Sequence, residues 1–147
     1  MPTTPNLPNT PNIMPALLYN DAPAALDWLE RVFGFERLMA VPNPDGTIAH
    51  AEMSFGPGII MVSTAKPDRK WMSPKDLAGL HQTLYVIVAD VDAHYAHAKA
   101  AGAEIAWELQ DTDYGSREYS VYDPEGHFWS FGTYQPSRPD QPSPSPT

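Results

Sequence analysis

The same order of local signals occurs twice along this chain, and that repeat constrains the fold more than any single motif does. In the first copy, residues 14–19 read as a strand. Asp21 then stands where a helix cap accepts from the first free backbone N–H groups. Ala25, Leu26, Leu29, Val32 and Phe33 recur at helical spacing, and Gly34 closes the helix. Asp27 and Arg31 are spaced for an i,i+4 pair on its outer face. Residues 36–41, 47–55 and 59–63 follow as strands, separated by turn sequences at 42–46 and 56–58. In the second copy, 83–88 is an apolar, β-branched strand. Asp90 caps a helix in which Val91, Tyr95 and Ala98 share a face, and Gly102 ends it. Residues 104–109, 118–122 and 128–134 are the remaining strands. From capping Asp to closing Gly is 13 positions in the first copy and 12 in the second. Strand, helix, strand, strand, strand, twice over, predicts an α+β protein of two βαβββ modules.

The modules are expected over 14–64 and 83–134, joined by a linker over 65–82. That linker holds Lys66, Arg69, Lys70 and Lys75, four of the nine basic residues. It reads as a solvated connection, with a rim for an anionic ligand as the alternative. Proline marks the ends: of 17 prolines, four lie in residues 1–13 and five in 135–147. Those tails carry little that is large and apolar, so burial cannot offset their ordering entropy, and both are expected to be disordered. Eighteen acidic against nine basic residues give a net charge of -9, a poor match for nucleic acid or an anionic membrane. With no cysteine, disulfides, thiolate metal sites and a cysteine nucleophile are excluded. No apolar run approaches the ~20 residues of a membrane helix, and the first residues lack a secretory signal pattern. A cytoplasmic protein is the expectation.

The segment from Tyr114 to Ser130, built around the turn Asp123-Pro124-Glu125-Gly126, resembles the C-terminal signature of the vicinal-oxygen-chelate superfamily. The run Leu84-Tyr85-Val86-Ile87-Val88-Ala89-Asp90 entering the second helix is similar too, as is the duplicated module over 14–134. That superfamily contains glyoxalase I, bleomycin-resistance proteins, fosfomycin-resistance enzymes and extradiol dioxygenases. The resemblance implies two modules whose mixed sheets curl around a cleft, with the helices outside, and it implies that homodimers are common. It does not by itself give a function, because such members do unrelated chemistry.

Metal-dependent members of that superfamily place four ligands, typically His and Glu, on the first and last strands of each module. The resemblance carries those positions onto Met14, Met61, Thr83 and Ser130. None is a usual ligand for Zn, Ni, Fe or Mn, and the neighbours Ile60 and Val62 are no better. No metal and no cofactor are therefore expected. Strand alternation extends the cleft wall. Ala16 and Leu18 should face with Met14, Ile59 and Ser63 with Met61, Tyr85 and Ile87 with Thr83, and Phe128 and Gly132 with Ser130. The opposite face, including Leu17, Ile60, Val62, Leu84, Val86, Trp129 and Phe131, should pack under the helices. Arg117 is a candidate for an anionic ligand, or for bracing its loop against Glu118 or Asp113. The ligand-binding candidates are thus Met14, Leu18, Met61, Thr83, Tyr85, Ile87, Arg117, Phe128 and Ser130.

His50 and Glu52 lie two apart on a strand, hence on one face, although the sequence does not say which. They are candidate catalytic residues, as base and orienter or as ligands of a displaced metal. The competing reading is a polar pair that stabilises the sheet. His94 and His97 are expected on the solvated outer face of the second helix and His127 at an exposed turn. Two functions lead, with a regulatory partner that acts through surface contacts as a third. One is a metal-free protein that binds or sequesters an apolar or aromatic, antibiotic-like small molecule. The other is a lyase, isomerase or dioxygenase-type enzyme working around His50 and Glu52. A homodimer is expected in either case.

Overall fold

The computed structural model describes residues 10–139. The expected tails, 1–13 and 135–147, lie mostly outside those residues. Two compact units meet at the Asp76–Leu77 bond, and both contain the same arrangement. The first comprises β1 (Ala16–Tyr19), α1 (Ala22–Trp28), β2 (Glu36–Pro42), β3 (Ile48–Phe55) and β4 (Gly58–Thr64). The second comprises β5 (Leu84–Ile87), α2 (Val91–Ala100), β6 (Glu104–Asp111), β7 (Arg117–Tyr122) and β8 (Phe128–Gly132). The sheet orders are β1-β4-β3-β2 and β5-β8-β7-β6. The first strand of each unit runs parallel to the last, and every other neighbour is antiparallel. Two βαβββ modules of α+β class are therefore present.

The helices begin as their caps require. The Asp21 carboxylate accepts from Ala24 N at 3.1 Å, and Asp90 accepts from Ala93 N at 3.0 Å. The first helix continues through a wider turn, Leu29–Phe33, and stops where Gly34 takes the left-handed conformation at φ 84°. All five residues spaced for its inner face are buried: Ala25, Leu26, Leu29, Val32 and Phe33. They pack over β1 and β4, where Leu17, Tyr19, Ile60 and Val62 are buried in turn. In the second unit α2 packs against β6 and β7, its Val91 and Ala98 are buried, and so are Tyr119, Val121, Trp129 and Phe131 of the sheet. Leu84 and Val86, expected on the same face, are only half-buried.

Several local expectations are corrected. Asp27 pairs with Arg37 at 2.9 Å, and Arg37 at the start of β2 also reaches Glu30 at 2.6 Å, contacts that the sequence reading did not include. The linker is mostly exposed and carries local structure that the sequence reading did not include: Lys66 and Trp71 form an isolated bridge, and two short 3-10 turns occupy Pro67–Arg69 and Pro74–Asp76. His127 is buried, not exposed. Its turn is organised by the buried carboxylate of Asp123, which accepts from Glu125 N at 3.1 Å and His127 N at 3.0 Å. The other oxygen accepts from the indole Nε1 of Trp129 at 3.1 Å. One side chain thus shapes the turn into β8 and satisfies the polar atom of the largest buried ring in the core. No helix among the described residues is long and apolar enough to cross a membrane.

Removing that carboxylate strips an acceptor from three donors in a buried setting. Asp123→Ala is expected to cost about 3 kcal/mol, within the range for buried donors losing their partner. Asp123→Asn, which keeps one acceptor oxygen, should cost less. Urea unfolding midpoints of both variants check this, and equal midpoints for Asp123→Ala and the parent would refute the role of the carboxylate.

Candidate functional site

Strand register decides which side chains share the face left uncovered by each helix. In the first unit Met61 lies opposite Ala16 on β1 and Glu52 on β3, and Leu18 lies opposite Ser63. Glu52 in turn faces Met39 on β2. His50 and Glu52 therefore occupy the same face as Leu18 and Met61, away from the helix-covered face of Leu17, Ala51 and Val62. His50 Nε2 stands 2.8 Å from Glu52 Oε2, and both side chains are about a third exposed, at 39% and 34%. Met14 is half-buried just before β1. Among the described residues no three His, Cys, Asp or Glu side chains converge as a metal site would require.

In the second unit one register row crosses the whole sheet: Tyr85, Ser130, Ser120 and Trp107. The next row runs Ile87, Gly132, Glu118 and Gln110. Ser120 Oγ and Ser130 Oγ are 2.8 Å apart, so the two hydroxyls sit side by side between flanking aromatics. On one flank Phe128 meets Trp107 edge-on at 5.6 Å and Tyr122 at 5.1 Å. On the other, the Tyr85 hydroxyl donates to Tyr134 O at 2.7 Å, and the Tyr114 and Tyr134 rings meet edge-on at 5.8 Å. The Tyr114 hydroxyl donates to the Glu118 carboxylate at 2.9 Å. That bond pushes the Tyr114 phenol above its usual range, and partial burial does the same for Tyr85. A hollow of about 520 Å³ opens here over Thr83, Tyr85 and Ser130. A second hollow, of about 350 Å³, lies over Trp107, Ser120 and Gln110, and Tyr114 and Glu118 line both.

Thr83, Tyr85, Ile87, Phe128 and Ser130 thus belong to one open face. Arg117 does not join them. Its neighbour Glu118 points to the open face, so alternation sends Arg117 to the other, where it binds Asp92 of α2 at 2.9 Å and Asp111 of β6 at 3.0 Å. Its bracing partners are these two rather than Glu118 or Asp113. His94 is likewise not simply solvated: it is half-buried, with Nδ1 2.5 Å from the Tyr119 hydroxyl and its ring 4.3 Å from Phe131.

Trp107, Tyr114, Ser120 and Tyr122 were not among the candidates. Parity along β7 was enough to find Ser120 and Tyr122, since Ser120 lies opposite Ser130 and Tyr122 opposite Phe128. Trp107 was hidden by register shifts on both sides of it, which break the simple alternation of β6.

The family described as the Glyoxalase/Bleomycin resistance protein/Dioxygenase superfamily matches residues 13–131. An uncharacterized protein of Mycobacterium bovis is 37% identical over 131 residues, spanning 87% of this chain and 85% of the relative. The crystal structure of TioX from Micromonospora sp. ML1 is 44% identical with a TM-score of 0.65, covering 82% of this chain and 95% of that one. The fosfomycin resistance protein FosX of Listeria monocytogenes shares the fold at 14% identity and a TM-score of 0.62, over 84% of this chain and 92% of its own.

Gly132 keeps the open face in shape. A Cβ there would lie 2.6 Å from Glu118 Cγ and 2.9 Å from the Tyr85 hydroxyl. Gly132→Ala is expected to displace both side chains, break the Tyr85–Tyr134 bond and cost about 1–3 kcal/mol through overpacking. A urea midpoint unchanged from the parent would show that Tyr85 is not held as described.

Proposed function

The chain belongs to the Glyoxalase/Bleomycin resistance protein/Dioxygenase superfamily, and we propose that within it this protein binds or sequesters a small, apolar or aromatic, antibiotic-like molecule on the open face of its second unit, without a metal. The observation that carries this reading is the concentration of exposed aromatic surface there. Tyr85 is 40% exposed, Tyr114 59% and Trp107 61%, all bordering hollows floored by paired serine hydroxyls. Ring faces supply stacking area and the hydroxyls supply orientation, which is the usual make-up of a small-molecule site. On the first unit, taken by itself, Leu18 and Met61 lie on the open face, and they belong with Met14 to the expected ligand-binding set.

The donor set does not fit the metal-dependent chemistry known in the family. Met14, Met61 and Thr83 offer no imidazole or carboxylate, and Ser130 shares its hydroxyl with Ser120. No catalytic step is derived through a metal. Elemental analysis of untagged protein is expected to give well under one equivalent of Zn, Ni, Fe or Mn.

A second reading is favoured by one observation, the His50–Glu52 pair on the same face as Met61. There the imidazole would act as base and the carboxylate would orient it. Stoichiometric metal lost on His50→Ala, or chemical change of a bound ligand, would promote that reading over simple binding. A homodimer and a cytoplasmic location are parts of the proposal. The exposed Leu38, Met39 and Val41 on the edge strand β2 support pairing between copies. A monomer mass in light scattering at micromolar concentration would count against it.

Strand parity supplies the direct test, with acridine as a planar probe. Tyr85→Ala and Phe128→Ala should each weaken acridine binding about fivefold to tenfold, as the loss of one aromatic contact does. Trp129→Ala, whose ring is fully buried on the opposite face, should instead cost about 3–5 kcal/mol of stability. The reverse pattern, Trp129→Ala abolishing binding while Phe128→Ala unfolds the protein, would place the ligand on the other face.

A further inference from the structure

The two hollows of the second unit are unbalanced in charge. None of their lining residues is Lys, Arg or His. Acceptors are present: the Glu118 carboxylate between the two hollows, the Asp113 carboxylate and the Ser120 and Ser130 hydroxyls. Asp111 is already neutralised by Arg117 on the other side of the sheet. Glu118 has no such partner. Its described contact is the neutral Tyr114 hydroxyl, which reaches both oxygens at 2.9 and 3.0 Å, and no cationic side chain among the described residues pairs with it.

Glu118 is also held in place. Its strand position opposite Gly132 leaves the Glu118 stem lying over that glycine, beside the Tyr85 ring. Tyr114 fixes the carboxylate end. The result is a half-buried carboxylate, aimed where two aromatic-lined hollows adjoin and lacking a counter-charge. A flat molecule seated there has rings to stack on and a carboxylate within reach, and no cationic side chain among the lining residues to meet an anionic group.

We propose that the ligand of this face is a planar aromatic cation, a protonated amino group on or beside a flat ring system, with Glu118 as the residue that selects for the charge. This inference rests on the reading of the face as a small-molecule site and adds the ligand's charge class. A cation placed at Glu118 makes a charge-assisted hydrogen bond that the protein leaves unmade, and its ring lies on Tyr85 or Tyr114, where the π face attracts the same charge.

The full chain is titrated with two tricyclic probes that share one ring system: proflavine, a cation near neutral pH, and acridine, neutral under the same conditions. Proflavine is expected to bind about tenfold more tightly than acridine, the scale of one charge-assisted contact. Glu118→Gln keeps the length of the side chain and an acceptor for Tyr114. It should erase most of that difference by weakening proflavine alone. Asp68→Asn, in the first unit, removes the same unit of charge and should change neither affinity. Equal affinities in the parent, equal weakening of both probes by Glu118→Gln, or an equal effect of Asp68→Asn overturns the inference. If both probes bind equally and Tyr85→Ala weakens both, the site stands and only the charge class falls. If neither probe binds, the site reading falls as well.

Discussion

The parallel pairing of the first strand of each unit with its last determines nearly everything else in this protein. In the second unit it sets Leu84 beside Trp129 and Tyr85 beside Ser130. Because side chains alternate, that single register sends Trp129 and Phe131 to the buried face and leaves Tyr85, Phe128 and Ser130 on the open side. A slip by one residue would bury serine and tyrosine hydroxyls against a helix and expose the indole. Neither outcome is compatible with the burial of Trp129 and the satisfaction of its Nε1 by Asp123. The register is therefore locked by the same contacts that separate core from site.

Much of this was legible in the sequence. The capping Asp residues, the closing glycines and the five inner positions of the first helix are local signals, and the structure realises each of them. The two-faced character of the strands followed from alternation alone. What escaped was set by particular side-chain partners, most of them distant in sequence. His127 is buried because the carboxylate of Asp123 folds the turn inward, which no propensity of a histidine reveals. His94 is drawn toward the sheet by Tyr119, 25 residues away. Arg117 turns to α2 because Asp92 waits there, although the nearer acidic residues in sequence are Glu118 and Asp113. The face of His50 and Glu52 needed the pairing of β3 with β4.

The candidate site shows the same division. Tyr85, Phe128 and Ser130 could be placed from strand parity once the fold was expected. Trp107 could not, because irregular pairing on both sides of it in β6 breaks the period on which parity depends. Those irregularities have a structural consequence: they bring the indole edge-on to Phe128 within the open face. A β-bulge that re-aims a side chain is a known device beside binding sites.

The aromatics of this face are exposed but not loose. Phe128 is wedged between Trp107 and Tyr122, Tyr85 is tied to the backbone at Tyr134, and Tyr114 is tied to Glu118. Each ring has already lost rotamer freedom in the free protein, so less ordering entropy remains to oppose association. Rigid aromatic rims suit a flat ligand, whose stacking energy depends on ring faces being available without rearrangement. The same economy explains why hydroxyls rather than charges floor the hollow. Ser120 and Ser130 satisfy one another when the site is empty, and each can turn a lone pair or a proton to a ligand without leaving a buried charge unpaired. Glu118 is the charged residue that both hollows share, and that position makes it the point at which the ligand's charge would be read.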